Sequence, residues 1–216
     1  RVQLTSVWHN SGASRIWSRP ILFPLNRQKD QNPMWQPNKL EQERLEKAER
    51  LEALGIELYP RRTKRTHTTT AAIAAFEAAE ATNPDEPENI PVTVTGRIRR
   101  LNIKGKVSFM HIEDEFGRVQ LFLRVNNLDE TIYGAIKEKL IEMDDFVQAT
   151  GTMMRTRAGE VSINVQEFVL LSKALSPLPV IKKEVQDDGT VVEHGEFTDK
   201  ETRYRQRYAD LAVNED

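Results

Sequence analysis

The stretch that most constrains this chain is GKVSFMHIEDEFGRVQLFLR (Gly105–Arg124), the centre of a longer alternating region from Val92 to Leu171. Side chains alternate across a strand, so period two splits the stretch into two faces. Met110 and Ile112 point one way with Val119, Leu121 and Leu123. Phe109 and His111 point the other way with Arg118, Gln120, Phe122 and Arg124. The first set is ordinary strand core. The second places aromatics, arginine and glutamine on a face that should meet solvent, a composition suited to stacking unpaired bases and bonding their edges.

Composition narrows the class. The 216 residues leave room for one or two domains, and 38% hydrophobic with 30% charged residues fits a modest core with long polar segments. No apolar run is long enough for a membrane span, so no membrane partner is expected. The chain has no cysteine, which excludes disulfides and thiolate metal sites and fits a reducing, cytoplasmic compartment. His9, His67, His111 and His194 are too scattered to suggest a metal cluster, and no metal is expected. A formal charge of −2 argues against wholesale polyanion binding, so any nucleic-acid site needs locally concentrated charge.

Residues 1–33 show neither helical nor strand periodicity. Arg15, Arg19 and Arg27, with no acid before Asp30, faintly resemble a transit peptide. The simpler expectation is a disordered or non-native extension upstream of a start at Met34, in a chain that is not a complete open reading frame. Residues 34–90 then read as a helical arm and linker. Asn38 can cap a helix whose stripe is Leu40, Leu45, Ala48, Leu51 and Leu54, with Gly55 just past its end. Its charged side is expected to be solvated, with i,i+4 pairs. RRTKRTH (Arg61–His67) follows, where Arg61, Arg62, Lys64 and Arg65 are either a solvated loop or phosphate contacts. A second helix is expected over Thr70–Ala81, then the acidic, proline-rich TNPDEPENIP.

Residues 91–180 carry the β unit. Val92, Val94, Gly96 and Ile98 alternate with Thr93, Thr95, Arg97 and Arg99 in a first strand, and the pair within Gly105–Arg124 supplies two more. Asp129–Met143 reads as a helix, and Phe146–Met153 and Glu160–Leu171 as two further strands. In the last strand Val161, Ile163 and Val165 face inward and Glu160, Ser162 and Asn164 outward. The loop between these strands, Met154–Gly159, holds Arg155 and Arg157. The predicted fold is therefore mainly β with a helical N-terminal arm (α+β). Three strands, a helix and two strands in about 80 residues is the order of a five-stranded OB-fold barrel. Residues 181–216 read as an acidic surface connection with a turn at Asp188-Gly189. A helical basic-aromatic segment follows, with nothing behind it to pack against, as at the opening of a further domain.

Three segments taken together carry a resemblance. VTGRIRRLNIKGKVSFMHIEDEFGRVQLFLR, TRAGEVSINVQEFVLLSKALSPLP and RYRQRYADL stand in an order similar to bacterial-type lysyl-tRNA synthetases, class II enzymes. The resemblance covers about Leu40–Asp216, the region before the catalytic domain. It implies a barrel that binds the anticodon loop of tRNA(Lys), within a homodimeric enzyme that joins lysine to tRNA using ATP and Mg. Neither ATP nor Mg is implied for this chain, which holds no catalytic residue of the family and is expected to be inactive alone. By the same resemblance Phe109 stacks on an anticodon base, and Gln120 and Glu160 read uridines. Many relatives carry paired arginines where Leu101-Asn102 stand, so that contact is expected either to be lost or to be taken over by Arg99 or Arg100. The phosphate-contact candidates are Arg61, Arg62, Lys64, Arg65, Arg97, Lys104, Lys106, Arg155 and Arg157. The alternative reading is a stand-alone OB-fold module for single-stranded nucleic acid.

Overall fold

The computed structural model describes residues 36–83, 89–179, 182–185, 191–194 and 199–213. The expected extension over 1–33 and the turn at Asp188-Gly189 lie outside the described residues. Helix α1 (Lys39–Ala53) starts as anticipated. The Asn38 side chain accepts from the Glu41 N–H at 3.0 Å, and Glu41 accepts back from the Asn38 N–H at 2.9 Å. Ala48 and Leu51 are buried, but Leu40 and Leu54 at the ends of the stripe are 57% and 49% exposed.

The charged side of α1 departs from expectation. Arg44 is buried, lies 3.5 Å from Asp144 and donates to the carbonyls of Met143 and Ala174. Lys47 reaches Glu142 at 2.7 Å and Arg50 reaches Glu138 at 2.6 Å. These are bonds between elements rather than i,i+4 pairs. Behind them Lys173 and Asp145, both fully buried, stand 3.0 Å apart, and Lys173 also meets Glu142 at 2.9 Å. Burial pushes the Asp145 carboxyl up against the pull of Lys173. Breaking such a buried pair from one side costs about 3–5 kcal/mol, and Glu142, shared by Lys173 and Lys47, links it to α1.

Five strands follow in a mixed sheet that closes in a ring: β1 (Pro91–Lys104), β2 (Val107–Glu113), β3 (Arg118–Arg124), β4 (Phe146–Arg155) and β5 (Val161–Ser172). The order round the ring is β1-β2-β3-β5-β4, with β4 pairing back onto β1. Only β3 and β5 run parallel. The inner face holds Val94, Ile98, Met110, Ile112, Leu121, Leu123, Val147, Ile163 and Val165, all 0% exposed. The five-stranded OB-fold expected from the strand order is present, with α3 (Glu130–Lys137) between β3 and β4. Gly105 turns β1 into β2 at φ 65. Gly151 lets β4 cross β5 closely, since a Cβ there would stand 2.2 Å from the Asn164 carbonyl oxygen.

Helix α3 is shorter than the expected Asp129–Met143. It stops at Lys137, and Lys139 adopts φ 57. Leu140 and Ile141 are both buried, and adjacent residues of a helix point about 100° apart. Leaving the helix sends both inward. Helix α2 (Thr69–Thr82) closes one side, its Thr69 N–H and hydroxyl donating to Asp114 at 2.9 and 2.6 Å.

The C-terminal region adds a strand pair and corrects one expectation. The acidic connection contains a hairpin, β6 (Lys182–Val185) against β7 (Val191–His194). The basic-aromatic segment forms α4 (Lys200–Arg205) and α5 (Arg207–Val213), and it does find a surface to pack on. Ala209 and Asp210 are buried, Asp210 is paired with Arg203 and Arg207, and Arg99 donates to the Ala212 carbonyl at 2.9 Å.

Candidate nucleic-acid interface

Register, rather than loop placement, builds the outer face. Arg100 of β1 sits opposite His111 of β2, His111 opposite Gln120 of β3, and Gln120 opposite Ser162 of β5. The neighbouring row is Asn102, Phe109, Phe122 and Asn164. Directly opposed residues share a face, so eight side chains from four strands form two parallel rows. Arg100 joins them through an irregularity. The β1–β2 register shifts between Ile98 and Arg100, and without that bulge Arg100 would fall on the inner side with Ile98.

Six of these eight, all but Ser162 and Asn164, floor a cleft of about 730 Å³. Its walls are Arg124 and the β4–β5 segment of Met154, Arg155, Thr156, Arg157, Ala158 and Glu160. Phe109 and Phe122 are half-buried, with ring centroids 5.3 Å apart and planes tilted by 44°. The Arg124 guanidinium lies 4.6 Å over the Phe122 ring. Gln120 is 7% exposed and hydrogen-bonded at both ends of its amide. Its Oε1 accepts from the Ser162 hydroxyl at 2.8 Å, and its Nε2 donates to Glu160 Oε2. Glu160 Oε1 stands 2.9 Å from His111 Nε2. Ser162, expected outward, does belong to the outer row but is 0% exposed beneath Gln120.

The candidate residues separate into groups. Phe109, Gln120, Glu160 and Arg100 meet in the cleft, joined by Arg155 and Arg157. Arg155 is already engaged there: it pairs with Glu80 of α2 at 2.5 Å and donates to the Gly159 carbonyl. Arg99 lies outside, held by Glu113 and the Ala212 carbonyl in a separate groove under α5. Arg97 lines that second groove, its guanidinium 4.3 Å over Phe146, where burial and the neighbouring Arg99 lower its pKa. Lys104 and Lys106 are exposed at the β1–β2 turn, and Arg61, Arg62, Lys64 and Arg65 are exposed on the segment before α2. That segment is pinned where the Thr63 hydroxyl and the Lys64 N–H both donate to Gln148 Oε1, at 2.8 and 2.9 Å.

Phe122, Arg124, Ser162 and Asn102 are cleft or platform residues that sequence reasoning missed as site residues. Alternation alone puts Phe122 and Arg124 on the outer face. Ser162 needed the parallel β3–β5 register, which no local pattern encodes. Among the described residues no group of His, Asp or Glu is placed to hold a metal ion, and no helix is long and apolar enough to cross a membrane.

Comparison with known proteins agrees with this geometry. Residues 92–171 match the tRNA anticodon family model, described as an OB-fold nucleic acid binding domain. Lysine–tRNA ligases from two strains of Porphyromonas gingivalis are each 42% identical over 127 residues, covering 57% of this chain and 21% of the relative. The lysine–tRNA ligase of Azobacteroides pseudotrichonymphae is 41% identical over 128 residues, covering 57% of this chain and 25% of the relative. The chain thus spans about a fifth to a quarter of the length of these relatives. Residues 92–171 thus form an OB-fold that matches the tRNA anticodon family model, in a chain similar over part of its length to lysine–tRNA ligases.

Proposed function

We propose that the cleft over β1, β2, β3 and β5 binds the anticodon loop of a lysine tRNA, as the recognition part of a longer lysine–tRNA ligase. The observation that carries this reading is the hydrogen-bonded Gln120–Glu160 pair beside the Phe109–Phe122 rings on one face. A base laid on Phe109 gains stacking energy, and its edge then faces the pair. Uracil presents an N–H flanked by two carbonyl oxygens. The Glu160 carboxylate can accept from that N–H, while the second N–H of the Gln120 amide donates to a carbonyl. Cytosine presents a lone pair at the same ring nitrogen, which the carboxylate repels. Arg100 and Arg157 lie at the cleft to meet the backbone phosphates.

In this reading the lysine-to-tRNA ligation, with its ATP and Mg, and the homodimer belong to the longer enzyme, working in the cytoplasm. The present residues bind tRNA without charging it. Mapping the backbone amide resonances on addition of a UUU-loop RNA hairpin tests the location. Perturbations should centre on Phe109, His111, Gln120, Phe122 and Glu160. Perturbations confined to Arg61–His67 or to the groove under α5 would move the site elsewhere.

A further inference from the structure

His111 stands on the outer face of β2, opposite Arg100 and Gln120, and its surroundings assign it a role. Its Nε2 stands 2.9 Å from Glu160 Oε1, an atom that can only accept, so this nitrogen carries the proton. The 3.5 Å approach of Gln120 Nε2 to the same nitrogen is then a contact between donors and no bond. Its other nitrogen, Nδ1, is buried and has no partner. The one hydrogen bond that the ring makes therefore goes to Glu160.

Glu160 needs such support. It precedes the first residue of β5, and its side chain is 49% exposed. Its backbone is fixed by bonds to Thr156, but its carboxylate is held by Gln120 at one oxygen and His111 at the other. We infer that His111 is a positioning residue for base choice, fixing the plane of the Glu160 carboxylate so that it and the Gln120 amide face the uracil edge together. This rests on the anticodon-loop reading above. His111 touches no base in this role; it acts through Glu160.

The full chain is titrated with two RNA hairpins that differ only in carrying UUU or UCU in the loop, and the ratio of the two Kd values is followed. His111→Leu should shrink the ratio about 2- to 12-fold, the range of one net hydrogen bond. His111→Gln should restore it, because a glutamine amide N–H can reach the same carboxylate oxygen. In a Glu160→Ala background, His111→Leu should leave the ratio unmoved, since there is no carboxylate left to orient. If the parent discriminates and His111→Leu discriminates equally, the inference is overturned while the anticodon reading stands. Failure of His111→Gln to rescue, or a full His111→Leu effect without Glu160, overturns it as well. A parent ratio near one overturns the anticodon reading and this inference together.

Discussion

The Gln120 amide donates to the Glu160 carboxylate from β3 to the head of β5, while its oxygen accepts from Ser162. Gln120 is therefore a bridging side chain, 7% exposed, rather than a free polar group standing in solvent. Gln120→Ala removes both bonds. It should cost about 0.5–1.5 kcal/mol for each of them, read from urea unfolding midpoints, and should narrow the affinity gap between UUU and UCU hairpins. A variant of unchanged stability would show that these bonds contribute nothing to the fold.

Phe109 and Met110 are neighbours with opposite fates. Phe109 is half-buried in the cleft and Met110 is 0% exposed in the core. Phe109→Ala should weaken hairpin binding about 5- to 150-fold, from loss of roughly 1–3 kcal/mol of stacking. Its stability loss should be near the roughly 0.5–1.5 kcal/mol of its aromatic pairing with Phe122. Met110→Ala should instead cost about 2–5 kcal/mol of stability. Thermal melting of both variants beside binding titrations separates the two; a larger melting loss for Phe109→Ala would reverse the faces.

Asp114 sets the acid response of the β2–β3 turn. Burial opposes its ionisation, but hydrogen bonds from the Thr69 hydroxyl and from the N–H groups of Thr69, Phe116 and Gly117 hold its carboxyl below the ordinary 3.8. A depressed folded-state value stabilises the fold above the unfolded value, and the benefit fades as pH falls through the folded one. Asp114→Asn should thus be less stable than the parent near neutrality, by about 1 kcal/mol, with the gap closing below 3.8. A gap independent of pH would contradict the assignment.

Arg61 and Arg62 are exposed and lie outside the cleft, where they can meet phosphates but no base edge. Changing both to alanine should weaken every hairpin alike and flatten the slope of log affinity against log salt, by about 0.7 for each phosphate that is no longer neutralised. A loss confined to the UUU hairpin would make them readers. Arg155→Ala should change the slope less than Arg157→Ala, because Glu80 already neutralises Arg155.

Much of the site was legible because its faces follow period two. Met110, Ile112, Val119, Leu121 and Leu123 are buried as alternation requires, and Phe109 and Phe122 lie opposite them. What alternation could not show is where it breaks. The bulge at Arg99 puts Arg100 into the cleft and leaves Arg99 to Glu113, although strict alternation would turn Arg99 outward and Arg100 inward. Burial of Gln120 and Ser162 depends on the parallel β3–β5 pairing between segments about 40 residues apart. The helix expected to reach Met143 ends at Lys137 because the core takes both Leu140 and Ile141, a demand that propensity does not express. The pairing of Arg44 with Asp144 is likewise a contact between distant acids and bases that resembles, in sequence, a solvated helix face.

The proposal that the cleft chooses the lysine anticodon is tested most directly by equilibrium titration of the chain at fixed salt. The probes are a UUU-loop hairpin and hairpins of the same stem carrying unrelated triplets. Binding should be weak overall and tightest for UUU, with each mismatched base costing about 1–3 kcal/mol at a site built from hydrogen bonds to base edges. Equal affinity for every loop would contradict that choice and leave a general binder of single-stranded nucleic acid.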